Sequence, residues 1–300
     1  MSAASDHLVI LDGGLSNALE DRGHDLSDAL WSARLLRDAP AEIAAVHRAY
    51  YEAGATVATT ASYQASVTGF ERAGVPRAEA ERLITSSVRI ARDVRDEFDD
   101  RPAAAPGTRR LVAASVGPYG AMLADGSEYR GRYGVSRQVL RNFHGPRLDL
   151  LVSAQPDLLA IETIPDTQEA EVLVELLAEI DFPAWFCYSI DGLRTRAGQP
   201  LTDAFAIPTI DQVIAVGINC CKPADVQAAV ETAVAITGKP AVAYPNHGET
   251  WDAVARRWAG TGAAPAAFAP GWIEAGASYV GGCCRVGPDD IRQLSHLCGT

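Results

Sequence analysis

Two cysteines stand side by side at Cys283 and Cys284, behind Gly281 and Gly282 and ahead of Arg285. A disulfide between neighbours closes a small, strained ring. As thiolates, however, both can bind one soft or borderline metal ion. Two thiolates rarely complete a zinc site, and Cys220 offers a third. Three thiolates with one position left open is the coordination of a catalytic zinc, whereas a structural zinc is closed by a fourth protein ligand. Zn2+ held by Cys220, Cys283 and Cys284 is therefore the expected cofactor. Cys221 adjoins Cys220 but should point the other way along its strand, which leaves it outside the metal set. Cys187 and Cys298 sit singly in apolar segments and read as small core residues. His247 is a weaker candidate for closing the shell.

Two acids accompany the thiols, Asp12 and Glu162, each following an apolar run that should be buried. A carboxylate in such a place can bind an ammonium group, while the backbone N–H groups of Gly13 and Gly14 can receive a carboxylate. Together they could hold an amino acid by its α-groups; the alternative is a pair of solvated loop acids. Trp31 and Tyr63 are aromatic residues near strand ends. They serve either as core packing or as cation–π partners for an onium substrate.

The elements that would carry these residues alternate along nearly the whole chain. Strand-like runs are expected at His7 to Leu11, Ala55 to Thr60, Leu111 to Ser115, Asp157 to Ile161, Ala184 to Ser189, Val213 to Val216, Pro240 to Tyr244 and Ala277 to Gly281. Helical periodicity lies between them. Pro40 to Ala53 brings Ile43, Val46, Tyr50 and Ala53 to one face, and Arg77 to Phe98 does the same for Ile84, Val88, Ala91, Val94 and Phe98. Further helices are expected at 136–154, 167–180, 223–236, 266–275 and 288–297. The Pro/Ala-rich piece from Arg101 to Thr108 reads as a surface loop. The polar stretch from Gly120 to Gly134 is long for a structural connection and reads as a functional loop.

Repeated strand–helix units imply parallel strands with right-handed crossovers, and eight of them suit a single α/β domain over residues 1–300, a (β/α)8 TIM-type barrel. An open doubly wound sheet is the alternative, but Asp12-Gly13-Gly14-Leu15-Ser16-Asn17 breaks the dinucleotide fingerprint expected after its first strand. Asp12, Tyr63, Ser115, Glu162, Cys220, Asn246 and Cys283 all fall at C-terminal strand ends. A barrel gathers those ends on one face, where active sites are built.

Composition narrows the function classes. A chain of 300 residues with 48% hydrophobic and 21% charged residues has enough apolar side chain for one large core. Its net charge of −12 argues against nucleic acid as a partner and favours a cationic ligand. No run approaches the ~18 apolar residues of a membrane span. The N-terminus lacks the basic start and apolar stretch of a secretory signal, so the six cysteines read as reduced thiols in the cytoplasm.

Several stretches carry a family resemblance: Leu30-Trp31-Ser32-Ala33, Ala61 to Ala65, Ser115 to Gly120, Ala124 to Gly131, Glu162-Thr163, Gly217 to Cys220, Tyr244-Pro245-Asn246 and Gly281 to Arg285. With these the chain resembles the homocysteine S-methyltransferases, most closely the bacterial type that uses S-methylmethionine. The resemblance implies a zinc held by Cys220, Cys283 and Cys284, with homocysteine sulfur as the fourth ligand. It places the homocysteine amino and carboxylate groups near Asp12, Gly13, Gly14 and Glu162, and the sulfonium methyl donor (S-methylmethionine or S-adenosylmethionine) near Trp31 and Tyr63. The chain departs from the family pattern in the extra thiol of Cys221, in His247 after Tyr-Pro-Asn, and in Arg194 to Gln199, which lacks an acid. The competing readings are a betaine-type donor on the same scaffold, a zinc hydrolase, and a non-catalytic zinc protein.

Overall fold

Parallel ladders join eight strands in the order β1-β8-β7-β6-β5-β4-β3-β2 in the computed structural model, which describes residues 8–26, 30–100, 109–252 and 257–297. These strands are β1 (Val9–Ile10), β2 (Val57–Thr59), β3 (Leu111–Val116), β4 (Leu158–Ile164), β5 (Ala184–Asp191), β6 (Val213–Asn219), β7 (Ala241–Tyr244) and β8 (Ala277–Val280). The ring closes between β1 and β2 through a parallel bridge, Leu11 to Val57, and through the Thr56 N–H, which donates to the Ile10 carbonyl at 2.8 Å. A (β/α)8 barrel results, as the alternating pattern leads one to expect.

The main helices lie on the outside: α1 (Leu15–Asp21), α2 (Pro40–Glu52), α3 (Arg77–Asp99), α4 (Arg137–Ser153), α5 (Thr167–Ile180), α6 (Pro223–Thr237), α7 (Ala269–Glu274) and α8 (Pro288–Leu297). The inward stripes of α2 and α3 are those the periodicity predicts: Ile43, Val46 and Tyr50 on one, Ile84, Val88, Ala91, Val94 and Phe98 on the other. The alternation of each strand divides the core in two. Val112, Ala114, Phe186 and Tyr188 face the helices, while Leu11, Val57, Ala113, Trp185, Cys187, Ala215 and Val242 fill the barrel. Cys187 is thus a small core residue of the barrel interior; Cys298 lies outside the described residues, as do His7 and the loop from Arg101 to Thr108.

Several elements differ from expectation at the face where the strands end. β4 continues past Ile161 because its ladder with β5 shifts register between Ile161 and Ile164, so Glu162 and Thr163 form an irregular step inside the strand. β6 likewise runs on to Asn219. The stretch after β3 contains two short helical turns, Tyr119–Leu123 and Ser127–Tyr129. Two small antiparallel pairings, Arg194–Thr195 against the end of β5 and Thr250–Asp252 against Arg257–Ala259, carry no clear alternation in sequence.

Buried acids hold that long stretch down. Glu169, fully buried on α5, accepts the Tyr119 N–H at 2.6 Å, the Tyr133 hydroxyl at 3.0 Å and a hydrogen bond from His144 at 2.8 Å. Asp166, the N-cap of α5, also accepts the Arg132 N–H at 2.7 Å. The segment between is fixed at both ends.

Candidate active site

The barrel brings the three thiols together. The sulfurs of Cys220, Cys283 and Cys284 all lie within 4.8 Å of one another. Cys220 turns the chain at the end of β6 with a left-handed backbone, φ 48, and Cys221 beside it packs into the outer core. The glycine pair ahead of Cys283 lets the end of β8 press against β1. A Cβ on Gly281 would stand 2.6 Å from the Leu11 Cβ, and one on Gly282 would stand 2.1 Å from a Val286 methyl. The loop after β7 ties both cysteine-bearing ends together. The Cys283 N–H donates to the Pro245 carbonyl at 2.8 Å and the Cys284 N–H to Asn246 Oδ1 at 3.1 Å, while the Asn246 N–H donates to the Cys221 carbonyl at 2.9 Å.

Crowding makes these thiols unequal. Hydrogen bonds from Cys220 and then Cys283 hold Cys284 well below the usual thiol range, and the Tyr129 hydroxyl adds to the effect. Cys283 is pushed up by Cys220 and Cys284. Three clustered sulfurs of this kind would suit a soft or borderline metal ion. His247 is not part of this set: its ring faces Glu249 at 3.3 Å and Asp290 at 3.6 Å.

Both acids are buried beside the thiols. Asp12 accepts the Thr59 N–H at 2.6 Å and the Thr59 hydroxyl at 2.8 Å, across the seam between β1 and β2. Glu162 accepts the Ser115 hydroxyl and, at 3.0 Å, the Tyr244 hydroxyl, which is itself bonded by Trp185 Nε1 at 3.2 Å. Burial raises each carboxyl to about 7, and the charge of Glu162 contributes to the shift at Asp12. Two buried carboxyls whose charged forms burial disfavours suit a cation that brings its own N–H donors.

The two glycines divide their roles. The Gly14 N–H is committed to the Val286 carbonyl at 2.9 Å, so it is not free for a carboxylate as the sequence suggested. Among the described residues, the Gly13 N–H donates to no backbone carbonyl. Close packing accounts for both residues, since a Cβ on Gly13 would sit 2.3 Å from the Val286 carbonyl and one on Gly14 2.6 Å from that of Cys283.

A cavity of about 140 Å³ joins these groups, lined by Asp12, Gly13, Gly14, Tyr63, Glu162 and the three cysteines among others. The Tyr63 ring lies against Gly117, where a Cβ would come within 2.6 Å of it. Trp31 begins a short helical turn, Trp31–Arg34, whose Ser32 lines the cavity; the Trp31 side chain lies outside what is described. Tyr129 closes another side with its ring under the Arg196 guanidinium at 5.7 Å. A more open groove of about 400 Å³ between α4 and α5 gathers no comparable cluster.

Residues 9–298 match the family model described as homocysteine S-methyltransferase. The chain belongs to the homocysteine S-methyltransferase family. It is 45% identical to homocysteine S-methyltransferase of Escherichia coli, over 96% of this chain and 94% of that one. To homocysteine S-methyltransferase YbgG of Bacillus subtilis it is 43% identical, over 96% and 93%. The crystal structure of the homocysteine methyltransferase MmuM from Escherichia coli in its metallated form superposes with a TM-score of 0.87 at 42% identity, covering 97% of this chain and 96% of the other. As a member of the family the protein is a methyltransferase.

Sequence reading assigned no role to several residues around this methyltransferase site. Thr59, Thr163, Asn219, Tyr129 and Tyr244 line the cavity or bond the residues that do. Arg147 on α4 is buried, and its guanidinium donates to the carbonyls of Ser62 and Tyr63 at 2.6 Å and of Gly117 at 2.8 Å. Its place on the stripe Leu140, His144, Leu148 and Leu151 was the available signal of burial.

Proposed function

We propose that this enzyme moves a methyl group from a sulfonium donor, S-methylmethionine or S-adenosylmethionine, to the thiolate of L-homocysteine, giving L-methionine, with Zn2+ on Cys220, Cys283 and Cys284. The gathering of three thiols beside two buried acids on one 140 Å³ cavity carries this reading. Zinc, when bound, supplies a positive centre that holds the acceptor sulfur as a thiolate.

The chain's own residues supply the remaining requirements. Asp12 and Glu162 receive the homocysteine ammonium, and the Gly13 N–H faces its carboxylate. Tyr63 and Tyr129 offer aromatic surface to the cationic donor. Glu128 is buried nearby, and one of its carboxylate oxygens has no hydrogen-bond partner among the described residues. In the transfer a sulfur–carbon bond forms on homocysteine as the donor's breaks, and the electron pair of the broken bond stays on the departing sulfide. A cation and an anion become neutral sulfides, so walls that exclude water favour the step. The leaving sulfide needs no proton, so the step asks nothing of His247, whose ring faces Glu249 and Asp290. Reduced thiols at the centre suit a cytoplasmic setting.

The test offers zinc-loaded protein homocysteine with S-methylmethionine, S-adenosylmethionine or betaine and measures methionine. Product from a sulfonium is expected; product from betaine alone, or from none, would overturn the reading. Cys283→Ser should lose both zinc and activity, and a variant retaining full zinc would show the ligand set to be wrong.

A further inference from the structure

β4 and β6 are not neighbours in the barrel, because β5 runs between them. Their ends are nevertheless tied directly by one side chain. Asn219, fully buried at the end of β6, donates from Nδ2 to the Thr163 hydroxyl at 2.8 Å and accepts the Thr163 N–H on Oδ1 at 2.7 Å. The residue of β5 in register with Asn219 is Ser189, small enough for the amide to pass. Thr163 occupies the irregular step of β4, with a left-handed backbone, φ 60, that a β-branched residue rarely takes. The Asn219 amide engages its N–H and its hydroxyl together in that conformation.

The residues next to the two partners give this strut its significance. Glu162 precedes Thr163, and Cys220 follows Asn219, itself left-handed. One bidentate amide thus joins the acid assigned to the substrate's ammonium with a thiol assigned to the metal that holds its sulfur. We propose that Asn219 is a positioning residue that fixes the span between these two anchors, and so selects an acceptor with the chain length of homocysteine over the one-methylene-shorter cysteine. This rests on the acceptor-site assignment made above.

The test compares homocysteine and cysteine binding to zinc-loaded protein by calorimetry, with zinc content measured on the same samples. One methylene typically supports a preference of about 10–200-fold. Asn219→Ala should keep its zinc and reduce the wild-type preference for homocysteine to a few-fold. Thr163→Val, which removes one leg of the strut, should reduce it by less, and Thr163→Ser, which keeps both legs, should restore it. Equal weakening of both thiols, or an unchanged preference, would overturn the proposal. If Asn219→Ala does not fold, Thr163→Val decides alone by the same comparison. Wild-type protein that binds neither thiol would instead overturn the acceptor assignment itself.

Discussion

Glu162 is held where an isolated carboxylate is costly. Burial raises its carboxyl from 4.5 to about 7, so the folded chain binds that proton more tightly than the unfolded chain does. The sign follows: the folded state loses stability as pH rises from near 4.5 through about 7, and the full penalty applies above that. Glu162→Gln removes the charge while an amide oxygen remains to accept from Ser115. In metal-free protein, thermal melts should show the variant more stable than wild type at about pH 8, by up to roughly 3 kcal/mol, and level with it near pH 4.5. In zinc-loaded protein at about pH 8, where wild-type Glu162 is largely ionised, homocysteine binding should be lost in the variant. A variant less stable than wild type at high pH would show that Glu162 serves the fold rather than the substrate.

Among elements, the loops after β2 and β3 matter most, because they carry Tyr63, Gly117 and the turn that ends in Tyr129. Arg147 holds the first two by their carbonyls from α4, and burial lowers its pKa only to about 10, so it stays charged at neutral pH. A lysine there would keep the charge but lose the planar fork that reaches three oxygens at once. Arg147→Lys should therefore fold, raise KM for the methyl donor by about tenfold, an energy of ~1.4 kcal/mol, and leave KM for homocysteine within about twofold. Steady-state kinetics with each substrate varied would check this; a rise confined to homocysteine would refute it. The same contrast explains what is legible in the chain. The thiols and the two acids can be found in sequence because their chemistry is in the residue type and each follows an apolar strand. Arg147 and Asn219 act across strands and loops, so their roles depend on which ends the barrel makes adjacent. The irregular step at Glu162-Thr163 leaves no trace in the apolar pattern, which is why the apolar run ends at Ile161 while β4 continues to Ile164. Gly14 resembles an anion-binding amide until Val286 is found on its N–H.

At the scale of the whole molecule, eight parallel strands with two apolar shells leave chemistry to one rim, and the alternation of strand and helix is sufficient to foresee that plan. The barrel's closure is uneven, however. β1 has two residues, and it meets β2 through a single bridge and the bonds of Thr56. Beyond that bridge the Asp12 carboxylate takes the N–H and hydroxyl of Thr59 across the same seam. A group assigned to the substrate is therefore also a fastener of the barrel. Opening of the seam and occupation of the site then become linked equilibria, in which the acceptor should quieten the breathing of the ring at its thinnest joint. Amide hydrogen exchange at Val57 to Thr60 should slow when homocysteine is added to zinc-loaded protein and quicken in Asp12→Ala, while amides of β5 and β6 stay unchanged. Exchange at the seam that ignores homocysteine would separate the fastener from the site.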